Sequence, residues 1–268
     1  MARRALLTLE QVKDSFRRRA FKNNKWRTAW DSSQGWFAAA LIGLFTAVVA
    51  FLVDVAEATV SDYKTGFCTS NPFLNQERCC PASDHGGNCT TWRTWSANYW
   101  GRFAIYVAFA LLFAILAGSV TMTTQANLPA TQDDRAENIG VEQGPPVGKT
   151  MYLAAGSGIP EIKTILSGFV IPHFLDFKVL VVKAVGATFA VATGMCLGKE
   201  GPFVHISTCA GYLVSSLFPK YRNNGRKMRE MLSVACSAGL SVAFGAPIGG
   251  VLFSYEVRRC AFSFPRFC

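Results

Sequence analysis

A lysine and a glutamate lie between glycines in the stretch Gly198-Lys199-Glu200-Gly201-Pro202. The preceding residues, 177–197, are mostly apolar and long enough to cross a bilayer. A charge at membrane depth is costly, so Glu200 is a candidate functional residue. Pro202 is typical of the first turn of a helix, whose free N–H groups and positive dipole end attract anions. We therefore predict a break between two helices at 198–202, with a helix N-terminus aimed into the membrane; the alternative is a solvated loop between two ordinary spans.

Two further stretches interrupt apolar sequence in the same way. Residues 156–161 read G-S-G-I-P-E, and residues 244–250 read F-G-A-P-I-G-G. The glycines allow positive φ and close backbone approach, and the Ser157 hydroxyl can donate to an anion. Paired hydrophobic segments broken by Gly and Pro are typical of a transporter site near the bilayer midplane. The pattern thus predicts an anion transport site.

These motifs resemble those of the CLC family of chloride channels and chloride/proton antiporters. The resemblance is carried by G-S-G-I-P at 156–160, G-K-E-G-P at 198–202 and S-V-A-F-G-A-P-I-G-G-V-L-F-S-Y-E at 241–256. The context of the first motif is similar to the eukaryotic intracellular-membrane branch. The resemblance covers about residues 30–256 and the first of the family's two inverted halves. It implies an all-α multi-pass membrane protein with broken intramembrane helices.

The resemblance also implies roles for individual residues. Glu200 is expected to be the gating glutamate, whose carboxylate competes with chloride for the same N–H donors and is released by protonation. The expected chloride-binding residues are Ser157, Gly158, Lys199, Glu200 and Gly201, and the further motif residues are Gly156, Ile159, Pro160, Gly198, Pro202, Gly245, Pro247 and Glu256. Chloride, protons, a lipid bilayer and, in the full-length form, a second copy of the chain are the expected partners. The expected location is an endosomal, Golgi or vacuolar membrane. No cofactor, metal or catalytic residue is expected.

Composition fits a membrane protein rather than a nucleic-acid-binding one. Half of the 268 residues are hydrophobic, and the net charge is +10. Nine Lys and Arg residues fall within the first 27 residues, ahead of the first apolar segment. Under the positive-inside rule this predicts a basic cytoplasmic tail over residues 1–33. A basic RNA-binding arm is the weaker alternative.

The region 34–256 is predicted to hold the membrane helices. Residues 36–56 and 100–120 are apolar segments of spanning length, predicted to run out of and back into the cytoplasm. The polar loop 57–99 between them is therefore luminal, and residues 121–150 form a polar cytoplasmic loop. The loop 57–99 contains Cys68, Cys79, Cys80 and Cys89, which we interpret as disulfide-bonded. Three pairings are open, and a zinc site is the alternative.

Downstream, the sequence predicts a short helix from Pro160 to about Gly168, the long segment 177–197 and a helix over 202–217. A basic cytoplasmic loop over 220–229 and two short helices, 232–244 and 248–255, follow. Small residues recur over 233–250, which favours close helix packing in lipid. Lys183 is interpreted as snorkelling or protein-paired rather than as an ion ligand. His205 is interpreted as a packed helix residue rather than a proton relay.

The last residues, 257–268, do not resemble the family. Antiporters of the family carry a second glutamate, the inner proton acceptor, where this chain has Val257. At face value, this valine suggests uncoupled, channel-like transport. Val-Arg is also the translation of a common intron start, so we expect a retained intron or a frameshift. The chain is then a fragment that does not conduct by itself.

Two other functions remain open alongside chloride transport. The spans and the cysteine-containing loop also suit a small membrane scaffold, although a scaffold has no use for three broken segments. A truncated subunit that modulates a full-length partner is the other alternative. No phosphate loop, catalytic triad or metal-ligand cluster is visible in the sequence, so an enzyme is not expected.

Overall fold

The computed structural model describes residues 33–80, 89, 91–127 and 150–262, with side chains to Glu256. Nearly all of the predicted tail 1–33, most of the loop 121–150 and the side chains of 257–268 lie outside these residues. The chain divides into two compact units, residues 1–41 and 42–268. Of the first unit, the structure describes only residues 33–41, which form the start of a helix that continues into the second unit.

Helices dominate the described residues, with four three-residue strands between them. The helices are α1 (Ser33–Asp62), α2 (Gln76–Cys79), α3 (Tyr99–Met122), α4 (Ile159–Ser167), α5 (Phe177–Ala192), α6 (Glu200–Ser216), α7 (Pro219–Arg222), α8 (Gly225–Phe244) and α9 (Pro247–Phe262). The strands are β1 (Gly66–Cys68), β2 (Trp92–Thr94), β3 (Gln125–Asn127) and β4 (Thr150–Tyr152). Strand β1 pairs antiparallel with β2, and β3 pairs antiparallel with β4.

Helices α1 and α3 are the two described helices that are long and apolar enough to cross a bilayer. Both predicted spans are present, but α1 extends through residues 57–62, which were predicted to begin the polar loop. The side chains of α3 are largely exposed and apolar, with Leu111 at 60% and Ile115 at 69% exposure. Such a surface is suited to lipid, because apolar side chains facing lipid carry no hydration cost.

The segment between α1 and α3 is held by two disulfide bonds. Cys68 is bonded to Cys79, and Cys80 is bonded to Cys89. The first bond joins β1 to α2, while β2 pairs with β1 through the register Cys68 opposite Trp92. This arrangement selects one of the three pairings that the sequence leaves open.

The core lies around α6, which packs along α5 and α8 and contacts α4. Its residues from Phe203 to Gly211 are all buried. Two glycines allow α8 to approach α6 closely: a side chain at Gly239 would collide with Ser207, and one at Gly211 would collide with Ala235. Small residues at a helix interface let the backbones come together, as the composition of residues 233–250 predicts.

The basic segment 220–229, predicted to be a loop, is largely helical. Helix α7 takes Pro219–Arg222, and α8 begins at Gly225 rather than near Leu232. The Asn224 side chain caps α8 by accepting hydrogen bonds from the N–H groups of Arg226 and Lys227. Polarity alone suggested a loop, whereas the cap allows a helix with an exposed, charged first turn to form.

Candidate functional site

The first predicted motif forms a tight turn into α4. Gly156 has φ 65° and Gly158, the N-cap residue, has φ 81°, conformations that residues with a Cβ rarely adopt. Pro160 lies in the first turn of α4, where its missing N–H costs no hydrogen bond. The Ser157 hydroxyl accepts a 3.4 Å hydrogen bond from the N–H of Ile159, so its own proton remains available for a further acceptor.

The second motif opens α6, but the break lies earlier than predicted. Helix α5 ends at Ala192, and the chain turns through Gly194, which has φ 83°, before α6 begins at Glu200. Residues 200–202 therefore form the first turn of the helix instead of the break itself. The Glu200 carboxylate lies over Gly198, where any side chain would overlap it.

The two motifs contact each other directly. A Cβ added at Gly201 would lie 2.6 Å from the Cβ of Ser157, so only glycine allows this approach of α6 to the turn. A Cβ added at Gly158 would lie 2.7 Å from Nδ1 of His205. The first turns of α6 therefore pack directly on the turn before α4, with a glycine at each point of contact.

A cavity of about 760 Å³ opens beside this contact. Six of the predicted motif residues line it: Gly156, Ser157, Gly198, Glu200, Gly201 and Pro202. Small residues from α3 and α5, including Gly118 and Gly186, also line it. The cavity therefore places a serine hydroxyl, a carboxylate and the N-terminal end of a helix around one space.

The other predicted site residues do not line this cavity. Gly158 is buried against His205, and Ile159 and Pro160 continue into α4. Gly245 has φ 61° and ends α8, Ala246 follows, and Pro247 opens α9, so the predicted third break is present. Glu256 is exposed on α9, with its Oε1 3.8 Å from Nζ of Lys163.

The Lys199 side chain is directed to carboxylates of α1. Its Nζ donates to Oδ1 of Asp54 at 2.8 Å and lies 3.8 Å from Oε2 of Glu57. The ammonium group is therefore already paired, and Lys199, the N-cap residue of α6, does not line the cavity. Asp54 lies near the end of the predicted span 36–56, and an acid in that position is the sequence signal that a basic partner exists.

Lys183 holds the turn before α4 in place. Its side chain is buried, and its Nζ donates to the carbonyl oxygens of Ala154 at 2.9 Å, Ala155 at 3.2 Å and Gly156 at 2.6 Å. Of the two interpretations offered for this lysine, protein pairing is the one observed. Lys183 also lines the cavity, so it adds positive potential beside Ser157.

His205 is a packed residue in the core. Its ring stacks on Phe174 with 4.1 Å between centroids, and Nε2 lies 3.1 Å from the Phe174 carbonyl oxygen. If Nε2 donates this bond, Nδ1 is the unprotonated nitrogen that faces Gly158. These contacts fit the interpretation of His205 as a structural residue.

Sequence reasoning missed the contribution of α3 and of β4. Thr121 of α3 and Tyr152 of β4 both line the cavity. Neither belongs to a motif. Thr121 reaches the cavity through the packing of α3 against α5, and Tyr152 lies on a strand paired with β3; local sequence specifies neither arrangement. The available sequence signal is Gly186. A Cβ added there would lie 3.4 Å from the Thr121 hydroxyl oxygen, so glycine allows α5 to pack closely on α3.

The comparisons with known proteins agree with this geometry. Residues 147–268 match the family model described as voltage gated chloride channel. The chain is 39% identical to human H(+)/Cl(-) exchange transporter 3 and 40% identical to rat H(+)/Cl(-) exchange transporter 5, in each case over 92% of this chain and 30% of the relative. A crystal structure of a eukaryotic CLC transporter matches with a TM-score of 0.56 and 24% identity, over 82% of this chain and 32% of that chain.

Broken helices around one cavity define the chain as part of a multi-pass helical membrane protein, as predicted. Over residues 147–268 the chain is similar to the voltage gated chloride channel, or CLC, family. It spans about 30% of the length of the curated relatives that it matches.

Proposed function

We propose that this chain provides one half of the anion pathway of a CLC-type chloride/proton exchange transporter. The observation that carries the proposal is the shared cavity, in which Ser157 and Glu200 line the same space and Gly201 packs on Ser157. The relatives' names, which describe exchange of protons and chloride, support it. We propose transport rather than catalysis as the role of the cavity.

Chloride binding is assigned to donors from both broken helices. The Ser157 hydroxyl keeps its proton because it accepts from Ile159, so it can donate to an anion in the cavity. The first N–H groups of α6 have no partner within the helix and stand at its positive dipole end. A chloride ion between these groups replaces lost hydration with hydroxyl and amide hydrogen bonds.

Glu200 is proposed as the gate. Its carboxylate is an anion attached to the first turn of α6, so it competes with chloride for the donors that chloride needs. Protonation removes its charge and releases those donors, which couples the arrival of a proton to the binding of chloride. The same carboxylate lies over Gly198, where the absence of a side chain leaves it room.

A chimera tests this assignment. Residues 1–256 of this chain replace the matching part of rat H(+)/Cl(-) exchange transporter 5, so that the relative supplies the residue at position 257 and all that follows. Chloride and proton fluxes are measured in liposomes. We expect Glu200→Ala to leave chloride flux but to abolish its dependence on a proton gradient, because the competing carboxylate is gone.

The matched control is Glu77→Ala, which removes an exposed carboxylate from α2, away from the cavity. This control should keep the coupling of the parent chimera. Unchanged coupling in the Glu200→Ala chimera would contradict the gating role.

Wider aspects of the proposal rest on the family resemblance. We propose that transport requires more chain than residues 1–268, in a homodimer within an endosomal, Golgi or vacuolar membrane, and with the N-terminus in the cytoplasm. The exchanger names of the relatives favour coupled transport, whereas Val257 favours uncoupled transport. A chimera that extends to residue 257 distinguishes the two, because it differs from the first only at that position.

A further inference from the structure

A second cavity lies at the start of α3, separate from the one lined by Ser157 and Glu200. Its volume is about 270 Å³, which suits a small ligand or one headgroup. It lies between the segment that follows α1 and the first two turns of α3. The residues that matter here are Lys64, Trp95, Tyr99, Arg102 and Tyr106.

Lys64 is a buried cation that has no carboxylate partner among the residues that the structure describes. It is 6% exposed; its Nζ lies 3.5 Å from the Tyr106 hydroxyl oxygen and 5.0 Å from the centre of that ring. Its Nζ also lies 3.1 Å from the position of a Cβ at Gly194, so the turn that follows α5 lies against it. Burying a charge without an opposite charge is costly, and a bound anion would offset that cost.

Arg102 adds a second cation to the same cavity. Among the residues that the structure describes, neither Lys64 nor Arg102 forms an ion pair, and the cavity wall contains no carboxylate. Two positive side chains thus face a space with no negative charge from the described residues. The charge of the site is complementary to an anion.

The other polar side chains of the cavity either can donate a hydrogen bond to a ligand or form part of the cavity wall. The Tyr106 hydroxyl accepts from Lys64 and keeps its own proton, and Tyr99 brings a second hydroxyl. The Trp95 indole N–H already donates to the carbonyl oxygen of Tyr63 at 2.8 Å, so its ring serves as a fixed wall. The cavity offers an ammonium, a guanidinium and two phenols, which is more than one chloride ion requires.

The surroundings place the cavity at a membrane interface. Tyr99, Trp100 and Phe103 at the start of α3 are 74%, 77% and 55% exposed, and aromatic residues are enriched where a spanning helix meets the headgroups. Phosphate groups lie at that level, and arginine matches their oxygens with paired N–H donors. We propose that this cavity binds a phosphate group, carried by an anionic lipid headgroup or present as inorganic phosphate.

Thermal unfolding of the purified chain in detergent micelles tests the proposal. Micelles are doped with phosphatidylglycerol, or with the same fraction of phosphatidylcholine, whose headgroup has no net charge. In separate samples, sodium phosphate is compared with sodium chloride at equal ionic strength. A ligand that binds only the folded chain raises the unfolding temperature with concentration.

We expect phosphatidylglycerol, inorganic phosphate or both to stabilise the parent chain more than their matched controls. Stabilisation by the lipid alone assigns a headgroup, and stabilisation by both assigns the phosphate group itself. Lys64→Met and Arg102→Gln should each weaken the apparent affinity about tenfold or more, as loss of a charged hydrogen-bond donor does.

Arg93→Gln is the control, because Arg93 is an exposed arginine on β2 that does not line the cavity. Its response should equal that of the parent. Arg102 is exposed, so its variant tests the proposal even if Lys64→Met does not fold. The proposal is overturned if neither ligand stabilises the parent, or if Arg102→Gln responds as the parent does.

Discussion

Two glycines of one turn meet different constraints. Gly156 and Gly158 both have positive φ, so each avoids the strain that a Cβ causes in that region. A Cβ at Gly156 would meet no atom within 4 Å, whereas one at Gly158 would lie within 3 Å of the His205 ring. The first glycine is needed for its backbone conformation, and the second for conformation and space together.

Substituting each glycine by alanine should separate the two effects. We expect Gly156→Ala to cost about 1–2 kcal/mol from backbone strain. Gly158→Ala should cost about 1–3 kcal/mol more, because the stacked His205 and Phe174 leave no room to adjust. Denaturant unfolding of the purified chain measures both costs.

The control is Gly225→Ala, at the first position of α8, where φ is not positive and an added Cβ meets no atom within 4 Å. It should be neutral or slightly stabilising. Equal costs at positions 156 and 158 would contradict the contact with His205.

At this scale the sequence predicts which polar side chains line the cavity better than it predicts their partners. Ser157 and Glu200 stand out because a polar residue beside glycines and a proline has few structural explanations. Lys199 appeared in the same motif as a chloride-binding candidate, yet its side chain pairs with Asp54, 145 positions away in the chain. A contact across that separation depends on how α1 packs beside α6, which no local pattern describes.

At the scale of elements, α5 and the turn before α4 are joined through one side chain. Lys183 comes from the middle of α5 and reaches three successive carbonyl groups, those of residues 154–156. These carbonyls precede the serine that faces the cavity. The position of Ser157 relative to α6 therefore depends on a helix that carries no motif.

Removing the Lys183 ammonium group should loosen that turn. We expect Lys183→Met to destabilise the chain by roughly 3 kcal/mol, because three carbonyl groups, one of them on the buried Ala154, lose a charged donor. Hydrogen exchange of the amides over 154–159 should accelerate by more than that of α8. Lys178→Met, which removes one exposed bond to the Thr123 carbonyl oxygen, is the control and should change little. Uniform exchange across the chain in the Lys183 variant would contradict this role.

Long apolar segments made the main helices predictable, but the residues at which these helices begin and end were predicted less well. Glu200 was placed in the break, but it starts α6 because the turn is made earlier, through Gly194. The three-residue strands were not predicted, since strands that short have no detectable alternation. Strands β1 and β2 instead pair in a segment held by the bond between Cys68 and Cys79.

At the scale of the whole molecule, large apolar side chains remain uncovered on the last helix. In α9, Ile248, Val251 and Leu252 are 77%, 63% and 61% exposed. Lipid or further protein can cover such a face. The relatives that match this chain are about three times as long, so further protein is available to them.

We therefore expect residues 1–268 alone not to conduct chloride. The purified chain is reconstituted in chloride-loaded liposomes. An ionophore is added to dissipate the membrane potential, and chloride efflux is followed with a chloride electrode. Efflux should match that of empty liposomes, because the chain spans about 30% of the length of the relatives that it matches. The chimera with the relative's remaining chain is the positive control. Saturable efflux from the isolated chain, above that of empty liposomes, would contradict the expectation.

The contact between Gly201 and Ser157 bears on how such a protein tolerates mutation. The amide donors at the start of α6 belong to the main chain, so exchanging one side chain for another does not delete them. These N–H groups are accessible because neighbouring positions, such as Gly201, have no side chain to cover them. A screen that substitutes every position should therefore find its least tolerant sites among the glycines. A search limited to polar residues would overlook them.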